Sequence, residues 1–72
     1  MERYMDLNLD SGVYGYEIGP DFIEVWFVNG KRSYRYSYHK AGKENVENMK
    51  ILARQGDGLN AYINQHVKYL YD

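Results

Sequence analysis

The chain contains no cysteine and a single proline, has no long apolar run, and carries almost no net charge (formally −1). Without cysteine there can be no disulfide, no cysteine-based zinc site and no thiol nucleophile, so stability must come from packing or from self-association. That fits a reducing compartment. No stretch approaches the ~18 apolar residues of a membrane span. The start Met1-Glu2-Arg3-Tyr4-Met5-Asp6 has no basic segment leading into an apolar one. The expectation is a soluble, untargeted, cytoplasmic protein with no membrane partner. At 72 residues there is room for one domain and one thin core, since a chain of this size buries only roughly 60% of its unfolded surface.

Catalytic constellations are missing as well. His39 and His66 lie on different predicted elements and belong to no spaced ligand set, so no metal is expected. Ser11, Ser33 and Ser37 have no recognisable base and oxyanion setting. Gly56-Asp57-Gly58 reads as a helix-to-helix turn rather than a phosphate cradle, because the aspartate would repel an anion. The reading is therefore a non-enzymatic binding module, with no cofactor and no small-molecule substrate.

What the chain does have is tyrosine, nine in all. Tyr34-Arg35-Tyr36-Ser37-Tyr38 places three phenols on alternate residues, the pattern of a β-strand with one all-tyrosine face. Val13-Tyr14-Gly15-Tyr16-Glu17-Ile18 and Phe22-Ile23-Glu24-Val25-Trp26-Phe27-Val28 read as two further strands, joined by a turn at Gly19-Pro20-Asp21. Asn29-Gly30 accepts the positive φ angles of a tight hairpin and so predicts antiparallel pairing of the second and third strands. A two-residue loop sets Val25 opposite Tyr34, Ile23 opposite Tyr36 and Glu24 opposite Arg35. A four-residue loop moves the partners but keeps the parity. In both cases Ile23, Val25, Phe27, Tyr34, Tyr36 and Tyr38 share one face, and Phe22, Glu24, Trp26, Ser33, Arg35 and Ser37 the other.

From Lys43 to about Gln55, Val46, Met49, Leu52 and Ala53 recur at helical spacing, with Glu44, Glu47, Lys50 and Arg54 as the wet side. Gly56 stops this helix. A second begins at Asp57 or Gly58 and carries the stripe Leu59, Tyr62, Ile63, His66, Val67, Leu70. The predicted fold is α+β: a three-stranded antiparallel β-meander followed by two α-helices packed on one face, the tyrosine face. Residues 1–10 form a separate N-terminal segment, an edge strand through Leu7 and Leu9 or a fraying end, ahead of a single domain over 11–72.

Charge is segregated along the chain. Residues 1–24 hold six acids against Arg3 alone, whereas residues 31–43 hold Lys31, Arg32, Arg35, Lys40 and Lys43 and no acid. The sheet face left open by the helices would present Phe22, Trp26 and Val28 beside Arg35, with Gly15 leaving space for the indole to lie flat. Aromatic rings and arginine on an open sheet are what single-stranded RNA modules use, since every base offers a face to stack on. The candidate nucleic-acid-binding set is Trp26 and Arg35 on the open face, Lys31, Arg32 and Lys40 at the hairpin rim, and Tyr34 and Tyr36. The alternative is a homodimer or other protein contact through Phe22, Trp26 and Val28, because an apolar cluster of that kind is larger than a lone monomer usually exposes.

The pattern resembles a small family, the KTSC domain, found at the C-terminus of some lysyl-tRNA synthetases and as free-standing bacterial proteins. Tyr34-Arg35-Tyr36 is similar to its central Tyr-x-Tyr motif, preceded here by Gly15-Tyr16, by Ile23-Glu24-Val25-Trp26-Phe27 and by Asn29-Gly30. Tyr62-Ile63-Asn64-Gln65-His66-Val67-Lys68 with Tyr71 resembles its closing helix motif. The resemblance runs from about Ser11 to Tyr71. It departs at His39-Lys40-Ala41-Gly42-Lys43, where the family has a Gly-Val-Pro-like lead into the helix. The resemblance implies no established reaction and an association with RNA.

Overall fold

The computed structural model of the chain describes residues 1–5, 12–28 and 32–72. Its elements are β1 (Glu2–Arg3), β2 (Val13–Ile18), β3 (Phe22–Phe27), β4 (Ser33–Ser37), α1 (Lys43–Gln55) and α2 (Leu59–Tyr62), the last running on into a π-helical segment, Ile63–Val67. The class is α+β, but the sheet has four strands in the order β1-β2-β3-β4, all antiparallel, not three. The added strand pairs Glu2 with Tyr16 and Arg3 with Gly15. Two residues are too few for an alternating pattern to show in the sequence. β1 covers only Glu2–Arg3 of the N-terminal segment, and Leu7 and Leu9, the residues expected to form an edge strand or a fraying end, lie outside the described residues.

The β3–β4 register is the one a two-residue Asn29-Gly30 turn predicts: Val25 faces Tyr34, Ile23 faces Tyr36 and Glu24 faces Arg35. Residues 29–31 themselves lie outside the described residues. The Gly19-Pro20-Asp21 turn closes β2 onto β3, with the Gly19 amide donating to the Phe22 carbonyl at 3.0 Å. In β2 a bulge at Tyr14 lets Val13 pair with Phe27 and Gly15 with Trp26. The extra residue reverses the alternation there: Val13 points inward with Tyr16, and Tyr14 is turned out to solvent.

The helices cover the tyrosine face. Tyr4, Val13, Tyr16, Ile23, Val25 and Tyr36 from the sheet side meet Val46, Met49 and Ala53 of α1 and Leu59, Ile63 and Val67 of the second helix in one core. Tyr36 is the largest of the fully buried side chains. The N-terminal segment joins this core directly, since the Tyr4 hydroxyl accepts the Leu59 amide at 3.3 Å and so satisfies an orphan donor at the start of α2.

Two helical expectations are corrected. Lys50, assigned to the wet side of α1, is only 5% exposed. Its stem packs along the core and its ammonium reaches Glu47 at 2.8 Å and the Pro20 carbonyl at 3.4 Å, while lying 5.5 Å from the Tyr38 ring centroid. The Tyr38 hydroxyl donates to the same Glu47 carboxylate at 2.5 Å, so β4, α1 and the β2–β3 turn are tied at one point. In the second helix, the wide i→i+5 turn of Ile63–Val67 shifts later residues around the axis. Burial then follows a strict four-residue spacing (Leu59, Ile63, Val67), and His66 and Leu70, expected in the stripe, face solvent.

Gly56 ends α1 in the left-handed conformation, φ 75°, its amide shared between the Leu52 and Ala53 carbonyls. A Cβ there would also sit 2.6 Å from Met5 Cβ. Gly56→Ala is expected to cost at least about 1–2 kcal/mol, the left-handed penalty alone. Urea denaturation checks it, and an unchanged midpoint would mean that neither the backbone geometry nor the Met5 contact is as described.

Candidate nucleic-acid interface

The sidedness of the sheet divides the sequence-predicted site residues into groups. Trp26 and Arg35 share the open face with Phe22, as the parity argument requires. Tyr34 and Tyr36 lie on the opposite, helix-covered face. Arg32 stands at the hairpin end with its guanidinium carbon 5.7 Å from the Tyr34 ring centroid. Lys40 does not join it. It follows the far end of β4, a strand of five residues and hence about 17 Å long, so the hairpin rim holds Arg32 without Lys40. Lys31 lies outside the described residues.

On the open face Arg35 is already engaged. Its guanidinium lies 4.1 Å over the Phe22 ring centroid and donates to Glu24 Oε1 from NH2 at 3.1 Å and from Nε at 3.3 Å. The Ser33 hydroxyl donates to the other carboxylate oxygen of Glu24. These bonds, that from Ser33 foremost and Arg35 after it, hold the Glu24 carboxyl below its ordinary value against the opposing effect of burial. Glu17 pairs across from Glu24 and brings a second carboxylate to the same face. The far side of Phe22 packs on Gly19, where a Cβ would fall 1.9 Å from the ring. The space over Gly15, expected beneath the indole, has the Met1 thioether as its nearest neighbour, 2.4 Å from where a Cβ would stand. The face is therefore an apolar strip around Trp26, with Val28 63% exposed beside it, and its arginine is quenched.

The tyrosine face does not close completely. Between the hairpin end of β3 and β4, the second helix and the chain's tail lies a cleft of about 220 Å³ lined by Phe27, Tyr34, Tyr36, Ile63, Asn64, Lys68, Tyr69 and Tyr71. Its rings meet edge to face: Phe27 with Tyr34 at 5.8 Å, Tyr34 with Tyr71 at 4.8 Å and Tyr36 with Tyr71 at 6.5 Å between centroids. Asn64 and Lys68 come one position after the buried Ile63 and Val67, which brings both to the same wall. The tail forms the third wall and is pinned to β4, the Asp72 amide donating to the Arg35 carbonyl at 2.7 Å and the Ser37 hydroxyl to the Asp72 carboxylate at 2.8 Å.

Polar groups in this cleft are unspent. Among the described residues the hydroxyls of Tyr34, Tyr36 and Tyr71, the Asn64 amide and the Lys68 ammonium make no hydrogen bond, and no carboxylate lines the walls. Tyr36 is the informative case, because it is 1% exposed and yet its hydroxyl has no protein partner. No fully buried side-chain polar atom is left unsatisfied among the described residues, so this hydroxyl keeps its access through the cleft. A second hollow, of about 240 Å³ beside Asn48, Ile51, Leu52, Gln55 and Tyr62, offers no unbonded tyrosine hydroxyl. Its tyrosine hydroxyl donates to Asn45 at 2.7 Å and accepts from Asn48 at 3.1 Å.

Burial first, and the neighbouring Tyr34 and Tyr71 next, push the Tyr36 phenol from 10.0 up to about 12. Burial, with the Glu2 carboxylate second, raises Tyr16 too. A raised folded-state value means that the contribution to stability is complete below pH 10 and is lost as pH climbs through 12. For Tyr36 this is on the order of 2–3 kcal/mol. Alkaline titration followed by phenolate absorbance and by circular dichroism should show late tyrosine ionisation, that of Tyr36 included, coincident with unfolding. Nine tyrosines titrating together near their ordinary value, with the fold intact, would contradict the burial of Tyr36.

No family model matches the chain, and no curated protein or solved structure matches it either. Sequence reasoning missed Phe27, Asn64, Lys68, Tyr69 and Tyr71 as site residues. Three of them, Asn64, Lys68 and Tyr71, belong to the segment from Tyr62 to Tyr71 and meet Tyr34 and Tyr36 in the cleft.

Proposed function

We propose that the protein is a non-catalytic, KTSC-like module of the cytoplasm that binds single-stranded RNA, and that the cleft between β4, the second helix and the tail is its base-holding site. The observation that carries this reading is the Tyr36 hydroxyl, which has no partner among the described residues and opens onto a hollow walled by aromatic rings and Lys68. Rings of this kind stack on a base whatever its sequence, while Arg32 and Lys68 supply phosphate contacts. Compared with the set expected from sequence, weight moves from Trp26, Arg35 and Lys40 to Tyr34, Tyr36, Arg32 and Lys68. A labelled single-stranded RNA titrated at several salt concentrations tests it. Two phosphate contacts give a log–log salt slope of about −1.4, and Arg32→Gln should halve that slope while leaving the fold intact. Absence of binding at low salt, or binding indifferent to salt, would remove the proposal.

A second reading rests on the open face. Phe22, Trp26 and Val28 remain there while Arg35 is neutralised by Glu24, which suits contact with another copy of this chain or a protein partner better than contact with phosphate. Under that reading the solution mass rises with concentration, Trp26→Ala abolishes the rise, and salt changes little.

A further inference from the structure

We propose that the cleft receives the end of an RNA chain, a terminal nucleotide bearing a phosphate monoester, rather than an internal stretch; this rests on the RNA reading given above. Size is the first argument. At about 220 Å³ the hollow is smaller than the roughly 300–1,000 Å³ of a drug-sized site, so it has room for one ring system and not for a run of stacked bases.

Closure is the second. Along β4 the sheet edge is occupied by the chain's own tail, fixed by the Asp72 amide on the Arg35 carbonyl and by Ser37 on the Asp72 carboxylate, and Tyr69 and Tyr71 of that tail stand as a wall. A strand threading the cleft would have to continue along the edge that the tail holds. One that stops in the cleft meets no such obstacle.

Charge is the third. A terminal phosphate monoester carries about −1.5 to −2 charges at neutral pH against −1 for an internal diester, and offers three strong acceptor oxygens. Lys68 in the cleft and Arg32 beside Tyr34 give two cations, no carboxylate among the described lining residues opposes them, and the Tyr36 and Tyr71 hydroxyls with the Asn64 amide supply further donors.

The test uses the whole protein and four forms of one short RNA sequence: 5′-phosphorylated, 3′-phosphorylated, hydroxyl at both ends, and covalently circular. One phosphorylated linear form should bind at least about tenfold tighter than the hydroxyl form, the worth of one added charge-assisted hydrogen bond, and the circle should bind weakest. Which phosphorylated form wins identifies the end. Lys68→Met should erase the preference, with the fold checked by circular dichroism. Equal binding of circle and phosphorylated linear RNA overturns the end-specific inference while leaving the RNA reading standing. Absence of binding by all four overturns both.

Discussion

Tyr36→Ala is expected to remove a large share of the folding free energy and to lower the urea midpoint accordingly. Removal of a buried ring of this size costs about 3–5 kcal/mol, and a domain of 72 residues has a total stability of only about 4–11 kcal/mol. Tyr36 stands at the centre of the covered face, paired with Ile23 across the sheet and edge-on to Tyr71. The informative control is Tyr36→Phe. Because its hydroxyl has no protein partner among the described residues, removing it should be nearly neutral or slightly stabilising, while RNA affinity falls. Urea denaturation of both variants separates the two roles. A loss of more than about 1 kcal/mol for Tyr36→Phe would mean that the hydroxyl is structurally bonded and would take away the main support for a ligand in the cleft.

Tyr71→Ala should have the largest effect on binding at the smallest cost in folding. Its ring contacts both Tyr34 and Tyr36 and forms part of the outer wall, yet it remains partly exposed. Loss of one stacking ring is worth ~1–3 kcal/mol, or about 5- to 150-fold in affinity. Fluorescence anisotropy with a labelled RNA reads it directly. If Trp26→Ala reduces RNA binding and Tyr71→Ala does not, the site lies on the open face and the cleft assignment fails.

Much of the architecture could be read from residue order because period-two and helical patterns are local. Parity alone assigned Tyr36 to the core and Trp26 to the open face, and the Asn29-Gly30 signal gave the antiparallel pairing of β3 with β4, while its register, open between two loop lengths, is that of the two-residue turn. What escaped depended on contacts remote in sequence. β1 is two residues long and is defined only by its partner. Lys50 has an ordinary surface identity and is buried because Glu47, Pro20 and Tyr38 converge on it. The cleft draws on β3, β4, the π-helical segment and the tail, and no periodicity announces that four such pieces will leave a gap. The setting of Arg35 depended on the register: a two-residue turn puts it opposite Glu24 and a four-residue turn opposite Trp26, and only the first brings it the carboxylate that engages its guanidinium.

The hydroxyl of Tyr4 on the amide of Leu59 joins groups 55 positions apart. During synthesis, Tyr4 must wait until Leu59 has been made before this junction can form, so the contact belongs to the time after translation of the start of α2. Long-separation contacts of this kind slow the approach to the native state, and Tyr4→Phe should leave the early hairpin steps untouched while hastening release of the N-terminal strand.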